Sequence, residues 1–198
     1  MNDRSPVLRS RRAWLPWPAP ALGWLLLATI ATPLAAGERV PFAARGGLEI
    51  ASEAALTWST DATLIYVEND EAIDERGAAP RWGYLFYSPA SRKARGYSVR
   101  NGKILVAENL EMRFEAPPLA ADWIDSGAAL EAAEEKVGRA FRRNHQGQLS
   151  TMLLIRGAFN EGDPDRTTWT LVYTSPTAPS LFVVVDAVDR KVRRTWRG

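Results

Sequence analysis

The chain has 198 residues, 25 of them basic and 23 acidic, with a single histidine and no cysteine. Lacking cysteine, it has no disulfide framework, zinc knuckle, iron–sulfur cluster, lipidated cysteine or thiol nucleophile. With His145 alone, a histidine-rich metal site is excluded and a Ser-His-Asp triad has one possible base.

The first segment is an address. Arg4, Arg9, Arg11 and Arg12 precede an apolar stretch from Ala19 to Ala36, and Ala35-Ala36-Gly37 closes it before the polar chain begins at Glu38. A basic region, a short apolar core and a small-residue exit make a secretory signal peptide over residues 1–37, with cleavage expected after Ala36 or Gly37. The alternative is an uncleaved inner-membrane anchor, since about 20 apolar residues just span a bilayer. Pro16, Pro18, Pro20 and Pro33 interrupt the ends of the stretch and favour cleavage. Ser10-Arg-Arg-Ala-Trp-Leu15 also resembles a twin-arginine export signal. The segment carries four arginines and Asp3, so the rest of the chain holds 21 basic and 22 acidic residues. That near-neutral balance gives no footing to a nucleic-acid partner, and a membrane contact is expected only if the N-terminal segment is retained.

Residues 38–114 open with a helix from Leu48 to about Trp58, with Leu48, Ala51, Ala55 and Trp58 on one stripe. Strands are expected at Thr63–Val67, Trp82–Tyr87 and Arg95–Val99, with Lys103–Ala107 as a hairpin return. Asn101-Gly102 suits the positive φ angles of a type I′ turn. Residues 115–122 form a stiff proline-containing linker. In residues 123–198, Asp125 or Ser126 caps a helix whose stripe is Ala129, Leu130, Ala133, Val137, Ala140 and Phe141. Strands follow at Leu149–Arg156, Thr168–Thr174 and Leu181–Asp186, with Val192–Trp196 as the return. The two halves share an offset of 87. Trp82-x5-Ser-Pro89 falls on Trp169-x5-Ser-Pro176, and Asp61–Val67 falls on Gln148–Leu154. Pro89 and Pro176 end strands because proline cannot donate to a ladder. The expected architecture is α+β: two tandem helix-then-antiparallel-strands repeats packed together, with one extended sheet as a way of joining them.

The second half resembles the PepSY and PepSY-like modules of exported bacterial proteins. The resemblance rests on Trp123-Ile-Asp-Ser126 before an alanine-rich helix, Trp169-Thr-Leu-Val-Tyr173, and Phe182-Val-Val-Val-Asp-Ala187 before a tight turn and Val192. The family's terminal pattern carries a Thr-Gly turn that is absent here. Residues 38–114 are a degenerate copy. The resemblance implies a cystatin-like fold and a non-catalytic binding unit of the kind associated with peptidase regulation, and it supplies no catalytic residues.

Trp82 and Trp169 are expected in the core as repeat anchors. Trp58, Trp123 and Trp196 have no repeat counterpart and are the candidates for exposed binding contacts. The loops Glu68–Glu75 and Asn160–Asp165 are acidic. They suit solvation first, steering of a basic partner second, and calcium through Asp163 and Asp165 third. No metal site is assigned, and no cofactor is implied. His145 is expected at a helix C-terminus, where cationic groups complement the backbone dipole. No Gly-x-Ser-x-Gly, phosphate loop or dinucleotide fingerprint occurs. The function expected is therefore a periplasmic or secreted non-enzymatic module that binds an exported protein or peptide, with peptidase regulation as its most specific form. The alternative is small-ligand binding in a pocket between helix and sheet.

Overall fold

Eight runs rich in valine, leucine, threonine and aromatic residues form strands: β1 (Thr63–Asn69), β2 (Trp82–Ser88), β3 (Lys93–Arg100), β4 (Lys103–Leu110), β5 (Gln148–Arg156), β6 (Thr167–Thr174), β7 (Leu181–Asp186) and β8 (Val192–Arg197). The computed structural model describes residues 39–111, 116–158 and 163–198. The signal peptide expected over residues 1–37 and Asn160 to Gly162 of the second acidic loop lie outside the described residues. Asn101 and Gly102 both have positive φ (50° and 66°), as the type I′ turn between β3 and β4 requires.

All eight strands belong to one antiparallel sheet in the order β4-β3-β2-β1-β5-β6-β7-β8. This corrects the expected fold class. The molecule is not a pair of tandem α+β, cystatin/PepSY-like repeats packed together. It is a mostly-β single layer with two helical segments on one face. The physical reason is the pairing of β1 with β5, in which Tyr66, Val67 and Glu68 oppose Ile155, Leu154 and Leu153. Two hairpin-linked meanders that would each expose a strand edge use those edges on one another, so neither closes as a module.

The helical segments are α1 (Leu48–Trp58), preceded by a 3₁₀ turn (Ala44–Gly47), and α2 (Ser126–Ala133), which continues through a π turn (Glu134–Gly138) into α3 (Arg139–His145). Asp125 caps α2 and accepts from Ser126 N at 2.8 Å. The π turn inserts one residue, which advances the register by about 100°. That phase shift explains why Gly138 and Phe141 are buried while Ala140, expected on the stripe, is exposed.

A single core joins both halves, built from Ala51 and Ala55 of α1, Ala129, Leu130 and Ala133 of α2, and Trp82, Trp123, Trp169, Met152 and Leu154. The Trp-x5-Ser spacing has a mechanical meaning here. Trp82 Nε1 donates to Phe42 O at 2.8 Å and Trp169 Nε1 donates to Ile124 O at 2.8 Å, each carbonyl lying just ahead of a helical segment. At the other end of the strand, Ser88 Oγ accepts from Ser59 Oγ at 3.0 Å at the C-cap of α1. Ser175 Oγ donates to His145 O at 2.5 Å at the end of α3. A seven-residue strand runs about 20 Å, enough to hold both ends of the helix above it. The linker crosses the end of the sheet, where Leu119 N donates to Leu64 O and Ala120 N donates to Thr167 Oγ1.

The β1–β5 seam is short in backbone pairs and is extended by a side chain. Asn69 Oδ1 accepts from Met152 N at 2.6 Å, and its Nδ2 donates to Ser150 O at 3.2 Å and Glu71 O at 2.9 Å. The amide thus substitutes for a peptide group beyond the last true pair. Asn69→Ala leaves the Met152 N–H without its acceptor, and we expect a loss of about 1–3 kcal/mol in urea unfolding. Unchanged stability would show that the seam does not depend on this amide.

Candidate functional site

Helices cover one face of the sheet; the other face carries the site. On the β1–β4 half the register sets two adjacent rows across that face: Glu68–Gly83–Ser98–Val106 and Tyr66–Leu85–Gly96–Glu108. Gly83 and Gly96 have no side chain, so the rows sink into a shallow cavity of about 260 Å³ walled by Tyr66, Leu85, Val106 and Leu110. Asp70 folds over Gly83. A Cβ at that position would lie 2.8 Å from Asp70 Oδ1, so glycine is required for the approach.

Three carboxylates rim this cavity, and they are not equivalent. Asp70 is compensated by Arg81 (3.5 Å) and accepts from Ser98 Oγ at 2.5 Å. Glu68 accepts from the Tyr66 hydroxyl at 2.6 Å. Burial, and then the Glu68 carboxylate, push the Tyr66 phenol well above its ordinary range, so it stays a neutral donor. Among the described residues no cation pairs with Glu68 or Glu108. The other carboxylates of the first acidic loop each meet an arginine: Glu71 pairs with Arg100 and Arg81, Asp74 with Arg76, and Glu75 with Arg142 of α3. The loop's expected role as a free acidic surface is therefore narrowed to the cavity rim.

The cavity opens onto an edge. β4 is the outermost strand, and Leu105, Val106 and Leu110 are 48%, 45% and 42% exposed. The opposite edge strand, β8, is protected differently, because Arg193, Arg194 and Arg197 keep it charged.

The tryptophans expected to make outside contacts are distributed otherwise. Trp123 is 3% exposed, which corrects its placement as an exposed candidate. It packs edge-on against Trp169 at 5.9 Å, and the Arg45 guanidinium lies 4.1 Å over its ring while also donating to Trp123 O. Nothing in the spacing of Trp123 announces Arg45, which lies 78 residues earlier. Trp58, at the end of α1, and Trp196, on the edge strand β8, are half-buried. Trp196 stacks on Phe182 at 4.8 Å. Trp82 and Trp169 are fully buried, 6.2 Å apart and edge-on, as anchors rather than ligand contacts. Pro89 and Pro176 lie just beyond the strand ends, on the surface. Asp163 pairs with Arg166 at 2.7 Å and Asp165 with Arg156 at 3.1 Å, so arginine neutralises both carboxylates suggested for calcium. His145 ends α3 and packs on Phe141. The sequence reasoning missed Asn69, Gly83, Gly96 and Glu108. The two glycines, each inside a run of strand formers, were the available signal.

No protein-family model matches the chain, and no curated protein matches it. Among solved structures it is similar in fold to a candidate lipoprotein from Clostridium difficile 630, at 12% identity and a TM-score of 0.55, covering 77% of this chain and 93% of that one. Among the described residues, no helix is long and apolar enough to cross a membrane.

Proposed function

We propose that the chain is an exported, non-catalytic binding module that takes an extended segment of a protein or peptide partner onto β4. One observation carries this reading: β4 is an edge strand with three large apolar side chains exposed and no cover among the described residues. Exposed strand edges pair with added strands, backbone bonds giving affinity and alternate side chains giving selectivity. The sequence supports export through its N-terminal signal pattern. The fold likeness to a candidate lipoprotein agrees with an extracytoplasmic setting, although these 198 residues contain no cysteine to lipidate. The PepSY resemblance makes an exported peptidase the most specific partner.

The small-ligand alternative fares less well. Trp82, Trp169, Met152, Leu154 and Leu171, each fully buried, fill most of the space between helices and sheet and leave an open cleft of about 340 Å³ between α1, β1 and the linker, lined by Leu48, Leu56, Leu64 and Trp123. That cleft is at the bottom of the usual 300–1,000 Å³ range of small-molecule pockets, and the 260 Å³ open-face cavity falls below it and suits one side chain.

The test uses residues 37–198, one compact unit of the chain, as immobilised bait in periplasmic extract, beside a Leu105→Lys/Val106→Lys variant. The expected result is a partner retained by the wild type and lost by the variant, with slowed turnover if that partner is a peptidase. Equal retention by both baits would remove β4 from the interface. A retained partner whose peptidase activity is untouched would remove the regulatory version.

A further inference from the structure

Resting on the edge-strand reading above, we infer that the segment taken by β4 carries a basic residue flanked by apolar residues two positions to either side. It is an apolar-x-Arg/Lys-x-apolar strand, with the basic side chain on the open face over Glu108 and Gly96.

The argument starts from which β4 side chains share a face. Val106, Glu108 and Leu110 pair with Ser98, Gly96 and Ala94 and alternate along the open face. A strand added outside β4 lies about 4.8 Å away and sets its own alternate residues opposite these three. Opposite-charge and apolar cross-strand pairs each stabilise such a sheet, by up to about fivefold in affinity per pair. An apolar residue therefore belongs opposite Val106 and another opposite Leu110, with a cation between them opposite Glu108.

Glu108 is exposed and has no ion-pair partner among the described residues. Next to it, one strand further in, Gly96 leaves the floor bare, so a long methylene stem can lie flat against Leu110 and Leu85 while its head stays at the carboxylate. The other face of β4 argues against a cation there. Its Asn109 already accepts from Arg95 Nη1 at 2.8 Å, so a basic residue on that side meets a like charge. Charge selection thus acts on one face and one position. Reach sets its limit: Glu68 lies three strands in from β4, about 14 Å, beyond an arginine anchored outside the edge.

The probe is the capped peptide Thr-Val-Thr-Arg-Thr-Val-Thr, compared with the same peptide carrying Gln in place of Arg. Both are titrated into residues 37–198 with amide chemical shifts as readout. We expect the arginine peptide to shift β4 amides and bind about two- to fivefold tighter than the glutamine peptide, a preference that shrinks as salt rises. Glu108→Gln should erase the preference, and Glu68→Gln should leave it. Gly96→Ala, whose added Cβ would meet nothing nearer than Leu110 Cδ1 at 3.8 Å and so leaves the fold intact, should weaken the arginine peptide selectively. Equal binding of both peptides at β4 would overturn the charge inference and leave the edge-strand reading standing. A preference lost equally with Glu68→Gln and Glu108→Gln would replace the specific pair with a general surface potential. No shift at β4 with either peptide would overturn this inference, and the edge reading would then stand or fall on the capture experiment.

Discussion

Trp169→Ala should lower the unfolding free energy by about 3–5 kcal/mol, the range for removing a fully buried large aromatic side chain. Domain stabilities are only about 5–15 kcal/mol, so this one change removes a large share. Three losses coincide. The indole is fully buried, it packs edge-on against Trp82 at 6.2 Å and Trp123 at 5.9 Å, and its N–H satisfies Ile124 O at the entrance to α2. Trp169→Phe keeps much of the ring packing but leaves that carbonyl unpaired, so its cost should be smaller, about 1–2 kcal/mol. The double-mutant cycle with Trp82→Ala tests the architecture. Because the two rings line the same space, the second truncation should cost less than it does alone, with a coupling of about 0.5–3 kcal/mol. Additive costs, or two separate urea transitions, would mean that the halves unfold independently in spite of their common sheet.

The same tryptophans show how far the sequence could be read. Strand positions, the Asn101-Gly102 turn, the helix from Leu48 to Trp58 and the cap at Asp125 follow from local chemistry, and all are found. Trp82 and Trp169 were legible as core residues because the Trp-x5-Ser spacing recurs. What the sequence does not carry is non-local. The β1–β5 seam depends on two short edges finding each other over more than 80 residues and on the Asn69 side chain, which looks like one more polar residue in an acidic run. Trp123 looked free because Arg45 is distant in sequence. The acidic loops looked available because their arginine partners, Arg81, Arg100, Arg156 and Arg166, come from other strands and turns. The binding edge was legible only in part. Lys103–Ala107 reads as a hairpin return, but only the sheet order shows that, among the described residues, no strand pairs with its outer side.

Acid should weaken the fold through Asp186 as pH falls from about 4 to about 2. Its carboxylate sits at the end of β7 with a side-chain exposure of 1%. Burial alone pushes its pKa up, but the Asp189 N–H (3.0 Å), Arg166, the Val188 N–H (2.8 Å) and Arg193 (3.0 Å) more than offset it and hold the group down at about 2. The folded value lies below the ordinary 3.8 of an aspartate, so the ionised form is favoured by folding. Its contribution, on the order of 2 kcal/mol, is then fully present above about pH 4 and is lost as pH falls through about 2. Asp186→Asn removes the charge at every pH. It should cost about 2–3 kcal/mol at pH 7, toward the low end for a broken buried pair, because Arg166 and Arg193 are about one-third exposed and keep some hydration. The variant should also flatten the decline in stability between pH 4 and 2. Asp61 should act in the same window. Ser59, Ser88 and the Ala90 N–H hold it at about 2 as well, so Asp61→Asn should also flatten the decline between pH 4 and 2, and the double variant should flatten it further than either alone. If neither single variant flattened it, the arginine clamp on Asp186 would be stabilising the turn without setting its pH response.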